Sequence, residues 1–111
     1  MITRKLGEKD LTLPTLYLLY TRGDMNTSEL KDEIINLINP GGENLDPLVN
    51  RADTKITQII RNIISHKDTT TNIIYKGLVE YSDITGILSI TEKGVAYLNK
   101  YISGKLIQDL T

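Results

Sequence analysis

Thr54, Lys55, Gln58, Arg61, Asn62, Ser65 and His66 are the residues of this 111-residue chain whose types and spacing fit a definite chemistry. That chemistry is the recognition of duplex DNA. An arginine can donate a bidentate pair to guanine, and a glutamine or asparagine can bond adenine through both atoms of its amide, so Arg61, Gln58 and Asn62 suit base edges in a major groove. Thr54, Lys55 and Ser65 suit phosphate oxygens, which position a protein without reading sequence. His66 suits a charge at a helix C-terminus or a phosphate contact. Nucleophilic catalysis is not expected, because His66 is the only histidine and Ser65 beside it would point elsewhere on a helix.

These side chains share a face only if they lie on one helix. Asp53 is a good N-cap, and Ile56, Ile59, Ile60, Ile63 and Ile64 recur at i, i+3, i+4, i+7 and i+8, which predicts an amphipathic helix over 53–66. At ~100° per residue, Thr54, Gln58, Arg61, Asn62 and Ser65 turn away from the isoleucines, flanked by Lys55 and Thr57. Lys67 would fall on the buried side, so the helix should end near His66. Charge is divided in the same sense. From 24 to 46, Asp24, Glu29, Asp32, Glu33, Glu43 and Asp46 face Lys31, whereas from 51 to 67, Arg51, Lys55, Arg61 and Lys67 face Asp53. A surface that meets phosphate is therefore expected on the second segment.

Two helices are predicted upstream. Pro14 fits a first helical turn, and leucines and tyrosines follow to Gly23, giving a helix over 14–22. Asn26 or Thr27 offers the next N-cap, and Leu30, Ile34, Ile35, Leu37 and Ile38 recur at helical spacing before Asn39-Pro40-Gly41-Gly42. Residues 39–51 read as a long loop. Downstream, the threonines at 69–71 are expected to cap a short turn that ends at Gly77. Leu78-Val79-Glu80-Tyr81, a turn at Ser82-Asp83-Ile84-Thr85-Gly86, and Ile87-Leu88-Ser89-Ile90 then read as two antiparallel strands. Thr91 caps a last helix with Val95, Leu98 and Ile102 inward, ending at Gly104. The turn between these strands, the tip of a wing in such a hairpin, offers no Lys or Arg, which argues against a cationic grip on the minor groove. Lys76 and Lys93, at its base, are within reach of phosphate.

Helix, helix, helix, strand, strand, helix is the order of a winged helix-turn-helix, mainly α with a small β-hairpin. The expected winged-helix domain covers 1–104, with 105–111 a C-terminal tail or linker. Composition narrows the function further. The length suits one domain with a modest core and favours binding over an enclosed active site. Zero cysteines exclude a disulfide framework and thiolate metal sites, and a net charge of −1 speaks against coating nucleic acid by charge alone. No apolar run approaches the ~20 residues of a membrane span, and the N-terminus lacks a signal-peptide core. The chain is expected in the cytoplasm, with no cofactor and no metal.

Arg61-Asn62-Ile63-Ile64-Ser65-His66-Lys67, then Lys76-Gly77-Leu78-Val79-Glu80-Tyr81 and Ile90-Thr91-Glu92-Lys93-Gly94, resemble the winged-helix DNA-binding domain that accompanies many bacterial restriction endonucleases. The order is similar to the N-terminal domain of Mrr-type restriction proteins. This resemblance implies a restriction-associated recognition domain, with Arg61, Asn62, Ser65 and His66 at or beside the DNA-facing helix. The chain is not expected to carry the carboxylate-lysine or His-Asn-His set that would hold a catalytic Mg²⁺ in those enzymes. The implied partner is double-stranded DNA, alongside a second copy of the chain or a fused nuclease domain. A winged-helix transcriptional regulator and a winged helix used for protein-protein contact are the alternatives.

Overall fold

The computed structural model describes residues 7–38 and 55–110, with side chains as far as Tyr101. The loop at 39–51, the Asp53 cap, Thr54 and the Ile102 side chain lie outside what is described. A 3₁₀ helix that the sequence did not announce, Glu8–Leu11, opens the fold. The Asp10 carboxylate accepts from the Gly7 N–H at 2.7 Å, closing the turn that delivers Leu11 into the core. Helix α1, Thr12–Arg22, starts two residues ahead of the expected 14–22 and keeps Pro14 in its first turn. It buries Thr15, Leu16, Leu18 and Leu19 and stops at Gly23.

A two-residue strand, β1 (Met25–Asn26), then leads directly into α2, Thr27–Ile38. Asn26 serves both elements. Its Oδ1 accepts from the Glu29 N–H at 2.8 Å while Glu29 Oε1 accepts from the Asn26 N–H at 3.3 Å, so each residue satisfies a donor that the helix start would otherwise leave open. Helix α3, Lys55–Ser65, buries Ile56, Ile60 and Ile63 and half-buries Ile59 and Ile64. It ends one residue short of the expected 53–66, although the His66 N–H still donates to the Asn62 carbonyl at 2.8 Å.

Between α3 and the wing the chain runs in consecutive turns, and here the expectation is corrected. The cap is Asn72 rather than the threonines before it. Its Oδ1 accepts from the Ile74 N–H at 2.7 Å and more weakly from the Tyr75 N–H at 3.4 Å. The turn closes with the Gly77 N–H on the Ile74 carbonyl and the Leu78 N–H on the Ile73 carbonyl, both at 3.0 Å, with Gly77 at φ +78°. This pair of bonds is the Schellman ending that favours glycine.

Strands β2 (Val79–Tyr81) and β3 (Ile87–Ile90) pair antiparallel, with Tyr81 opposite Leu88 and Val79 opposite Ile90. The hairpin gains a third member, because β1 pairs with the other edge of β3, placing Met25 opposite Leu88. The order is β1-β3-β2, so β3 is central and ties the α1–α2 corner to the wing. Met25, Val79 and Leu88 are buried with the leucines of α1 and the isoleucines of α3.

Helix α4, Glu92–Leu110, is capped as expected: Thr91 Oγ1 accepts from the Gly94 N–H at 3.0 Å. The same hydroxyl donates back to the Gly77 and Leu78 carbonyls at 2.6 and 3.1 Å. The helix does not stop at Gly104 but continues through it to Leu110, so the expected boundary between 1–104 and 105–111 falls inside a helix. The element order, the three-stranded antiparallel sheet and the hairpin after the third helix make the chain a winged helix. Among the described residues no helix is long and apolar enough to cross a membrane.

Two substitutions test this packing. A Cβ at Gly94 would collide with the Leu78 carbonyl and press on the Ile90 side chain. Although alanine is the better helix former, Gly94→Ala should cost ~1–3 kcal/mol of unfolding free energy in urea melts, by overpacking against rigid backbone. Ile60→Ala, at a residue that is only 1 % exposed, should cost ~2–4 kcal/mol, and a value below ~1 would contradict its place in the core.

Candidate nucleic-acid interface

Burying the isoleucines of α3 leaves its polar face outward, as the periodicity requires. Arg61 and Ser65 are exposed, and Lys55, Gln58 and Asn62 are half-buried. Gln58 and Asn62 stand one turn apart, and Gln58 Nε2 donates to Asn62 Oδ1 at 2.9 Å. The bond fixes the plane of the Asn62 amide. A carbonyl oxygen has two lone pairs, so this amide retains the capacity to accept as well as donate towards a ligand.

His66 is drawn off this face. Its Nδ1 lies 2.9 Å from Glu8 Oε2, joining the end of α3 to the opening 3₁₀ helix. The other oxygen of Glu8 accepts from Asn72 Nδ2 at 2.8 Å, and the same Asn72 nitrogen donates to the Ile63 carbonyl, also at 2.8 Å. Asn72 is 3 % exposed and all of its amide is used. Sequence reasoning missed this residue. Its signal was an asparagine placed just before Ile73-Ile74 and five residues ahead of a helix-stopping glycine.

Lys67, read as a marker of the helix end and as one of the bases of the 51–67 segment, is a fastening. Its Nζ donates to Asp83 Oδ1 at 3.2 Å and sits 5.7 Å from the centre of the Tyr81 ring. The wing turn is thereby held beside the C-terminus of α3. Lys93 is also occupied, donating to the Lys76 carbonyl at 2.8 Å, so the Thr91-Glu92-Lys93-Gly94 run is explained by the seating of α4.

The expectation that the chain carries no carboxylate-lysine spacing is corrected by the sequence itself. Asp24 followed by Glu29-Leu30-Lys31 has the Asp, Glu-x-Lys pattern of metal-dependent nucleases. In the structure Glu29 is committed to the Asn26 capping box, Leu30 between the two is fully buried, and Lys31 Nζ lies 3.9 Å from Asp32. Among the described residues no group of three or more His, Asp or Glu is placed to hold a metal ion. The phenol of Tyr97 on α4 is held above its ordinary value, first by a hydrogen bond with Tyr101 and then by burial. This pair, with ring centres 4.7 Å apart, accounts for the shift without any catalytic role.

The chain matches no protein-family model, no curated protein and no solved structure.

Because Asn72 ties α3, the 3₁₀ helix and the following turn together, Asn72→Ala should leave buried backbone groups unpaired and cost ~2 kcal/mol in denaturant unfolding. Glu8→Gln, which alters a partly exposed pair, should cost less than ~1 kcal/mol. Equal losses would mean that the His66 contact, not the Asn72 amide, secures the end of α3.

Proposed function

We propose that this protein is a non-catalytic recognition domain for double-stranded DNA, with α3 lying in the major groove. The observation that carries it is the Gln58–Asn62 bond beside exposed Arg61, on the face opposite Ile56, Ile60 and Ile63. A base-reading amide must be held in one orientation before it meets the edge of adenine, and Gln58 supplies that restraint. Lys55 and Ser65 stand at the two ends of the same face and suit phosphate. A restriction-associated role, and with it a cytoplasmic setting, rests on the resemblance of the 61–67 and 90–94 runs to the domains of restriction endonucleases. The competing role is a protein contact through α2, favoured by the exposed Glu29 and Asp32. Salt separates the two, because binding that neutralises phosphates weakens steeply as salt rises.

Gel-shift selection from random duplexes at two salt concentrations supplies the preferred site. On that site Asn62→Ala should cost ~1–3 kcal/mol and leave scrambled-duplex binding much less changed, lowering the specificity ratio. Lys55→Ala should weaken all duplexes alike and reduce the salt slope by roughly one, whereas Lys31→Ala on α2 should leave binding as it was. An unchanged specificity ratio for Asn62→Ala would remove α3 as the reader.

A further inference from the structure

At the tip of the wing Ile84 is 95 % exposed, while no other large apolar side chain among the described residues exceeds 56 %. The turn that carries it is closed by bonds at both of its ends. The Ser82 N–H donates to the Ile87 carbonyl at 3.0 Å and the Gly86 N–H to the Ser82 carbonyl at 2.8 Å. Ser82 Oγ and Thr85 Oγ1 accept from the Thr85 and Ile87 N–H groups, both at 3.3 Å. An isoleucine is stiff at χ1, so a bonded turn with this residue at its apex presents a preformed apolar knob.

The surroundings restrict what the knob can meet. Lys67 pairs with Asp83, the only charged residue of the turn, and holds the turn beside the end of α3. The segment 82–90 contains no Lys or Arg of its own, and the ammonium of Lys67 beside it is engaged by Asp83. A ligand lying along α3 would therefore meet, at the wing, an isoleucine flanked by Thr85 and by Asp83, whose carboxylate is paired with Lys67.

We infer that Ile84 is an apolar wedge for the minor groove next to the stretch that α3 reads, entering against the sugar walls and partly unstacking one base step. The inference rests on the proposed DNA-binding function. Apolar side chains inserted from the minor groove open base steps and kink the duplex, and pyrimidine-purine steps yield most easily. Such a contact needs no charge at the tip, in keeping with the Lys67–Asp83 pairing. It also gives the wing a role that its lack of basic residues had argued against.

The test uses the full chain on the duplex selected with the wild type. Ile84→Ala should lower affinity roughly tenfold, as expected for partial loss of a buried butyl group, and Ile84→Met should restore most of it. Because the side chain is exposed, both variants should unfold at the wild-type denaturant midpoint. Hydroxyl-radical protection across the minor groove should vanish in Ile84→Ala while protection of guanine N7 in the major groove persists. Circularly permuted duplexes should show a smaller bend. If wild type binds and bends the duplex, Asn62→Ala alters specificity, and Ile84→Ala matches wild type in affinity and footprint, the wedge is overturned and the α3 reading survives. If Ile84→Ala instead abolishes self-association or vesicle binding with DNA affinity intact, the knob serves another partner and the inference is equally overturned. If wild type shows no salt-dependent duplex binding at all, both readings fall together.

Discussion

A single buried amide, that of Asn72, sets the relation between the parts of this fold. Its nitrogen joins the Ile63 carbonyl on α3 to Glu8 on the 3₁₀ helix, and its oxygen starts the turn that leads to β2. Buried polar groups are expensive to leave unpaired, so the native arrangement is the one in which these bonds form together. The isoleucines of α3 join the leucines of α1 in the buried core, but apolar contact is tolerant of small rotations. Directional bonds to Asn72 are not. They fix where α3 ends and where the wing begins, and hence the angle at which the outer face of α3 is offered.

A second fastening acts from the other side of the wing. Thr91 and Lys93 bond the carbonyls of residues 76–78, and the absent side chain of Gly94 lets α4 lie against the same stretch. Lys67 then holds the tip through Asp83. Almost every one of these contacts is made to backbone or by residues outside the α3 face. Within this face Gln58 bonds Asn62, while the fastenings of the wing that presents it are made elsewhere.

How much of this was legible follows from how local each signal is. The α3 stripe and the Thr91 cap are written within a single turn or two of chain, and both appear where periodicity and capping rules place them. β1 escaped because two residues carry no alternation, and Asn26 already had a sufficient explanation as a helix cap. Asn72 and Lys67 escaped because their partners stand 64 and 16 residues away, a relation that no window of sequence contains. His66 was singled out by type, but the contact that holds its ring is with Glu8, 58 residues distant. The polar face of α3 was therefore readable as a set, whereas the Gln58–Asn62 restraint within it was visible only as a spacing of four.

The brevity of the outer strands has a consequence for how the molecule behaves in a crowded solution. β1 contributes two residues and β2 three, and both flank the central β3. Unpaired strand edges are templates on which further chains can add, and their hazard grows with length and flatness. Here each rim offers at most one or two free backbone positions before the chain turns into a helix or a loop. The shortness of both rims thus leaves little edge on which a further strand could add.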